Sequence, residues 1–168
     1  PSTSTWLQQV LALSCLHCRH GPLCRHRRCL IKALEEEGIR NALIDAGEFN
    51  AIGSPRKTDS WQIAVQHPRQ EGNIAKTGLQ GRCLSTSGDY GTKFSDDYRH
   101  HHLFDPRTGI SPTGLSAVSV AAPTALEADA LSTALFVLCP EWYGLMHRGD
   151  ERKIPIGPVC IRFFRKQD

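Results

Sequence analysis

Between Pro123 and Pro140 the sequence leaves room for one kind of element. Thr124 is followed three residues later by Glu127, the pattern in which the two side chains satisfy each other's free backbone N–H groups at a helix start. Residues 125–138 contain neither Gly nor Pro and are dominated by Ala and Leu, both strong helix formers. Cys139-Pro140 ends the run, because the residue before a proline is pushed out of the helical region. The spacing predicts a helix over 125–138. Asp129 and Thr133 lie four apart and share a face of it. Leu131, Leu135 and Leu138 line another face, with Leu126 and Ala134 filling in beside the polar pair.

A carboxylate and a hydroxyl in the middle of an apolar helix admit two readings. One is a polar stripe turned to solvent. The other is a pair of hard oxygen ligands, of the kind that suits Mg²⁺, which keeps waters and substrate phosphate oxygens in the rest of its shell. Ala130 adds little bulk beside the pair, so the face stays open to a ligand.

The preceding segment is punctuated by turns. Leu103-Phe104 reads as a short strand end after the triplet His100, His101, His102. Asp105-Pro106-Arg107-Thr108-Gly109 is turn chemistry, and Ser111-Pro112-Thr113-Gly114 repeats it. Leu115 to Ala122 then reads as an apolar, β-branched strand. The connection is rich in hydroxyls and backbone N–H groups and carries one arginine. Such a loop can hold a phosphate, or it can be an ordinary exposed loop.

Upstream, residues 30–38 predict a helix closed by Gly38, and 41–46 a short strand turned by Gly47. Residues 54–57 read as a loop and 61–65 as a strand with Trp61, Ile63 and Val65 on one face, Trp61 serving the core. Residues 67–76 read as polar loop. Residues 78–86 lead into Ser87-Gly88-Asp89-Tyr90, where Gly88 and Gly91 let backbone approach a ligand closely. After the main helix, 141–152 reads as a short amphipathic or irregular piece whose Trp142, Tyr143, Leu145 and Met146 cover the core. Ile154 to Phe164 supplies a closing strand. Helices and strands mix without a repeating βαβ unit, so the class is α+β.

Four of these stretches, in this order, carry a resemblance. HHLFDPRTGISP (101–112) and APTALEADALSTALFVLCPE (122–141) resemble the C-terminal half of the FAD:protein FMN transferase (ApbE) family, formerly described as thiamine-biosynthesis lipoproteins. The family pattern of His, two hydrophobic residues and Asp-Pro-x-Thr-Gly falls on His102, Leu103, Phe104, Asp105, Pro106, Arg107, Thr108 and Gly109. NALIDAGEFNAIGS (41–54) and CLSTSGDYGTKF (83–94) resemble two further family segments. The resemblance implies a partial flavin-transferase domain over 30–168 and an enzyme that cleaves FAD, its substrate, with Mg²⁺. It passes FMN to a threonine hydroxyl and releases AMP. The implied partner is a flavoprotein subunit of a redox pump or reductase carrying the acceptor threonine, with no nucleic acid. The implied place is the periplasmic side of the bacterial inner membrane. By the same carry-over Asp129 and Thr133 hold the metal. Ser87, Gly88 and Asp89 line the flavin-nucleotide site, and His102, Asp105 and Thr108 position the substrate. His102 and Asp129 are the expected catalytic residues, His102 managing the proton.

Residues 1–29 depart from the family. A member's Gly-Gly-Ile-Ala-Lys-Gly-like loop, which contributes to FAD binding and completes the metal shell, is replaced by LSCLHCRHGPLC. That departure, and a first residue that is Pro1, imply a fragment or an altered reading frame ahead of residue 30. The same stretch offers a rival reading. Cys15, Cys18, Cys24 and Cys29, interleaved with His17, His20 and His26, can ligate zinc. Five cations between 15 and 32 without an acid make the stretch basic. The alternative function is therefore a non-catalytic, zinc-held basic binding module. The net charge of +3 selects neither. No run of 18 apolar residues occurs, which excludes a helical membrane span within the sequence.

Overall fold

The computed structural model describes residues 30–56, 59–138, 153–156 and 159–165. The cysteine- and histidine-rich stretch before residue 30, the piece from 141 to 152, and the side chain of Cys160 lie outside what is described. Residues 30–36 form helix α1. Gly38 closes it at φ +79°, with Ile39 N–H donating to Leu34 O at 2.9 Å, a glycine-type helix stop. Strands β1 (Ala42–Asp45), β2 (Phe49–Ile52), β3 (Trp61–Gln66), β4 (Asn73–Leu79), β5 (Cys83–Gly88) and β6 (Leu115–Ala122) follow. Then come helix α2 (Ala125–Leu138), β7 (Lys153–Ile156) and β8 (Val159–Arg165). The mixed architecture is α+β, as the sequence implies.

Six strands make one antiparallel sheet in the order β1-β2-β5-β6-β8-β7, and β3 and β4 pair as a separate hairpin. α2 packs on one face of the sheet and the hairpin on the other. β6 is buried along its whole length, so it reads as continuous Leu, Ala, Val and Ser rather than as an amphipathic strand. Its side chains still alternate. Val118, Val120 and Ala122 join the cluster under α2, whereas Ala117 and Ala121 join the cluster under the hairpin. Leu115, odd-numbered like Ala117, nevertheless sits in the α2 cluster. The register against β8 slips between Leu115 and Ala117, and the extra residue of such a bulge reverses the parity.

The same parity sets β5. Cys83 faces the α2 cluster and Leu84 the hairpin cluster. Ser85 and Ser87, two and four residues after Cys83, therefore point at α2.

One expectation is corrected and two are extended. Residues 67–76 are not all loop, because β4 starts at Asn73 and runs to Leu79. Only Ala75 and Leu79 are fully buried in it, since the strand belongs to a two-stranded hairpin and shows its other face to water. Phe49–Ile52, between the Gly47 turn and the 54–57 loop, is a further strand. The buried helix face is wider than the Leu131–Leu135–Leu138 stripe: Leu131 lies in the core cluster and Leu135 and Leu138 pack against it, together with Ala128, Ala134 and Phe136. Leu126 is 47% exposed, while Ala128, Ser132, Phe136 and Val137 are buried. Small residues lie among the large ones on this face, and Ser132 comes within hydrogen-bond distance of Ser85 and Ser87 on β5.

Candidate active site

The Thr124–Glu127 box is formed. Glu127 N–H donates to Thr124 Oγ1 at 3.2 Å, and Thr124 donates to Glu127 Oε2 from both N–H (3.1 Å) and hydroxyl (2.8 Å). This start fixes the rotation of α2 over β5. The polar pair of α2 is thereby brought against the serines of β5 instead of being turned wholly to solvent. Thr133 Oγ1 lies 3.0 Å from Ser87 Oγ, and Ser87 Oγ lies 2.8 Å from Ser132 Oγ. Ser85 Oγ reaches Asp129 Oδ1 at 3.5 Å. Ser132, Ser85 and Ser87 are buried, whereas Asp129 and Thr133 are half-buried. The serines form the floor and the Asp129–Thr133 pair the accessible surface.

This donor set fits a hard divalent cation in kind: a carboxylate and a hydroxyl, with further hydroxyls behind them. In number it is partial, since among the described residues no three of His, Cys, Asp and Glu come together. One carboxylate is the count expected where waters and phosphate oxygens fill the remaining positions.

The histidine run resolves by alternation. From His101 to Asp105 the side chains are in turn buried, exposed, buried, exposed, buried, although the stretch forms only isolated bridges, Lys93 with His101 and Asp105 with Ile110. His101 and Leu103 face the core, and the His101 ring stands edge-on to Phe136 of α2 at 5.5 Å. His101 Nδ1 accepts from Leu103 N–H at 3.3 Å, and its Nε2 lies 3.1 Å from Pro112 O. A carbonyl only accepts, so the His101 proton sits on Nε2 and both nitrogens are engaged. His102 has the opposite tautomer. Its Nδ1 lies 3.2 Å from Thr92 O and must be the donor, which leaves Nε2 with its lone pair. The ring is exposed, and Gly91 lies beneath it: a Cβ there would sit 3.8 Å from Cε1.

The other expected residues hold partners of their own. Asp89 is buried and takes a two-pronged ion pair from Arg69, Nη1 to Oδ1 at 2.9 Å and Nη2 to Oδ2 at 2.6 Å. Arg69 in turn lies over the Tyr98 ring at 3.8 Å. Gly88 does not open a ligand path. A Cβ there would stand 2.5 Å from Tyr90 Cε1 and 3.0 Å from Ser116 O, so its bareness admits the Tyr90 ring. Asp105 accepts from Arg107 Nε and Nη2, and from its N–H at 2.9 Å. The hydrogen bonds from Arg107 hold the Asp105 carboxyl below the usual range. Thr108 is exposed, and its hydroxyl accepts from Ile110 N–H at 3.3 Å. The structure thus joins Ser87 to Thr133 and gathers Asp105 and Thr108 into one turn.

Sequence reasoning passed over Ser85, Ser132, Arg69 and Thr92. The signals for the two serines were present. Ser85 shares parity with Ser87, and Ser132 lies one turn after Asp129. Arg69 gave no signal, because its partner lies 20 residues away across the hairpin.

The described residues thus form an α+β unit, a six-stranded antiparallel sheet with α2 packed across it and an oxygen-lined seam between α2 and β5. A family model described as the ApbE family matches residues 28–153. The chain belongs to the ApbE family. The FAD:protein FMN transferase of Escherichia coli strain K12 is 39% identical over 117 residues, covering 67% of this chain and 33% of that protein. The chain thus spans about a third of the length of the curated relatives it matches. Among solved structures, the ApbE protein of Thermotoga maritima is 35% identical with a TM-score of 0.58, covering 62% of this chain and 35% of that one. The flavinyl transferase ApbE of Pseudomonas stutzeri is 35% identical with a TM-score of 0.53, covering 66% and 35%.

Proposed function

We propose that this chain carries part of an FAD:protein FMN transferase site. The substrate is FAD and the acceptor a threonine hydroxyl on a flavoprotein subunit of a redox pump or reductase. In the reaction the threonine oxygen bonds to the FMN phosphorus as the P–O bond to AMP breaks. AMP leaves with the bridging oxygen, and the hydroxyl proton is taken up by His102 Nε2. The observation that carries this reading is the tautomer of His102. Thr92 O holds a proton on Nδ1, so Nε2 of the exposed ring is the nitrogen placed to accept the acceptor's proton, as a general base requires.

Asp129 and Thr133 would hold Mg²⁺. When bound, the ion neutralises charge that develops on the phosphate oxygens. Arg107, fixed by Asp105, and the exposed Thr108 present cationic and hydroxyl groups to the nucleotide. Ser87, Gly88 and Asp89 act from behind, Ser87 on Thr133 and Asp89 through Arg69 and Tyr98. A hydroxyl nucleophile needs placement more than covalent assistance, and these groups provide placement. The periplasmic face of the bacterial inner membrane goes with this reading as the place of action. Among the described residues no helix is long and apolar enough to cross a membrane.

The test is to incubate the 168-residue chain with FAD, Mg²⁺ and a threonine-bearing acceptor peptide, then look by mass spectrometry for AMP and an FMN–peptide adduct. Both products are expected, and both should vanish with EDTA, with Asp129→Ala and with His102→Ala. A folded chain that forms neither product overturns the reading for this chain.

A further inference from the structure

We infer that Ser87 and Ser132 are positioning residues that turn the Thr133 hydroxyl so that only its lone pairs face the ligand side. The inference rests on the reading of Asp129 and Thr133 as cation ligands and goes beyond it. It states which residues make Thr133 able to act as one.

The argument is a count of protons. A chain of hydroxyls can be polarised in either direction unless one end is fixed. Here one end is fixed. Ser132 Oγ lies 3.0 Å from the main-chain carbonyl of Asp129, three residues earlier on the same helix. A carbonyl oxygen has no proton to give, so in this contact Ser132 must donate. Its contact with Ser85 Oγ is longer, at 3.4 Å. Having one proton, Ser132 is left as an acceptor toward Ser87. The 2.8 Å contact between them is therefore Ser87 donating to Ser132. Ser87 has then spent its own proton, so the 3.0 Å contact with Thr133 is Thr133 donating to Ser87. The order runs Thr133 to Ser87 to Ser132 to the Asp129 carbonyl.

Two consequences follow. The Thr133 proton points into the protein, toward a serine that is only 8% exposed. Its lone pairs are left on the half-buried side it shares with Asp129, where they meet a cation and not an anion. Ser132 is wholly buried, so water cannot stand in for a lost link. Burial also explains why the polarity is set by the helix backbone: the carbonyl of Asp129 orients Thr133 through two serines, while Ser85 donates separately toward the Asp129 carboxylate. Outer partners of this kind tune affinity about 10–100-fold in metal sites.

The experiment is Mn²⁺ binding to the 168-residue chain, read from the electron paramagnetic resonance signal of the free ion, with circular dichroism to verify folding. Wild type should bind, and Asp129→Ala should lose binding. Ser132→Ala and Ser87→Ala should each weaken it about tenfold or more, whereas Ser87→Thr, which keeps a donor, should bind like wild type. Adding Ser132→Ala to Thr133→Val should weaken binding no further than Thr133→Val alone, because Ser132 acts through Thr133. Should Ser132→Ala not fold, Ser87→Ala carries the same test one link along. Binding that needs Asp129 but is indifferent to both serines, or losses that add in the double variant, overturns the inference and leaves the cation reading standing. Absent binding, or binding indifferent to Asp129, overturns both.

Discussion

Arg107 donates to both carboxylate oxygens of Asp105, and the Asp105 main-chain oxygen accepts from Thr108 and Gly109. One residue thus folds the turn from both ends. Because the folded carboxyl lies below the ordinary value of 3.8, its stabilising contribution is complete above that value and is lost as pH falls beneath it. Arg107→Gln removes the cause, so its acid unfolding should begin at higher pH than wild type, followed by circular dichroism from neutral downward. Coincident acid transitions would refute the assignment. The turn residues themselves were legible, since Asp, Pro and Gly have fixed roles in turns. What Asp105 does with its carboxylate was not. A carboxylate two residues before an arginine reads equally well as a ligand or as a local clamp, and only the side-chain path distinguishes them. Asp89 was obscured in the same way, because its Arg69 partner comes from the loop of the hairpin.

Among the elements, α2 was legible to the residue. Its cap, its lack of Gly and Pro, and the following proline are local signals. β6 was legible for the opposite reason, as an apolar run between turns. β2 and β4 escaped because their signals are not local. Phe49–Ile52 is four residues long and is a strand only because β1 and β5 flank it. β4 shows polar side chains to water on one face and pairs with β3 alone. The cap yields a prediction at this scale. Thr124→Ala removes the hydroxyl that meets the Glu127 N–H and should lower stability by about 1 kcal/mol, measured by urea unfolding. The cap also sets the rotation of α2, so the same variant should weaken Mn²⁺ binding while Thr124→Ser does neither. A variant with unchanged stability and binding would show that packing alone sets the rotation.

On the scale of the molecule, β6 is the shared wall of two cores, with α2 on one side and the hairpin on the other. Phe136 fills the first core and is 1% exposed. Phe136→Ala should cost about 3–5 kcal/mol. Because the wall is shared, amide hydrogen exchange should quicken in β3 and β4 as well as in α2. Exchange that quickens in α2 alone would mean that the two cores open independently. The three-layer arrangement was not legible, because β6 is buried on both faces and its sequence does not say which side chain serves which core. The bulge at Leu115 makes that ambiguity worse by exchanging the sides midway.

The alternation from His101 to Asp105 has a consequence for how this region tolerates change in length. Neighbouring positions in extended chain face opposite ways, so removing one residue from the loop between Lys93 and His100 would turn His101 outward and His102 inward. The surface would still carry an imidazole, and composition and charge would scarcely alter. Yet the outward ring would have left Leu103 N–H and Pro112 O behind without gaining Thr92 O, and nothing would hold its proton on a chosen nitrogen. In this chain the spacing of a loop decides which ring nitrogen is held to a carbonyl, and the same shift would turn Leu103 out of the core.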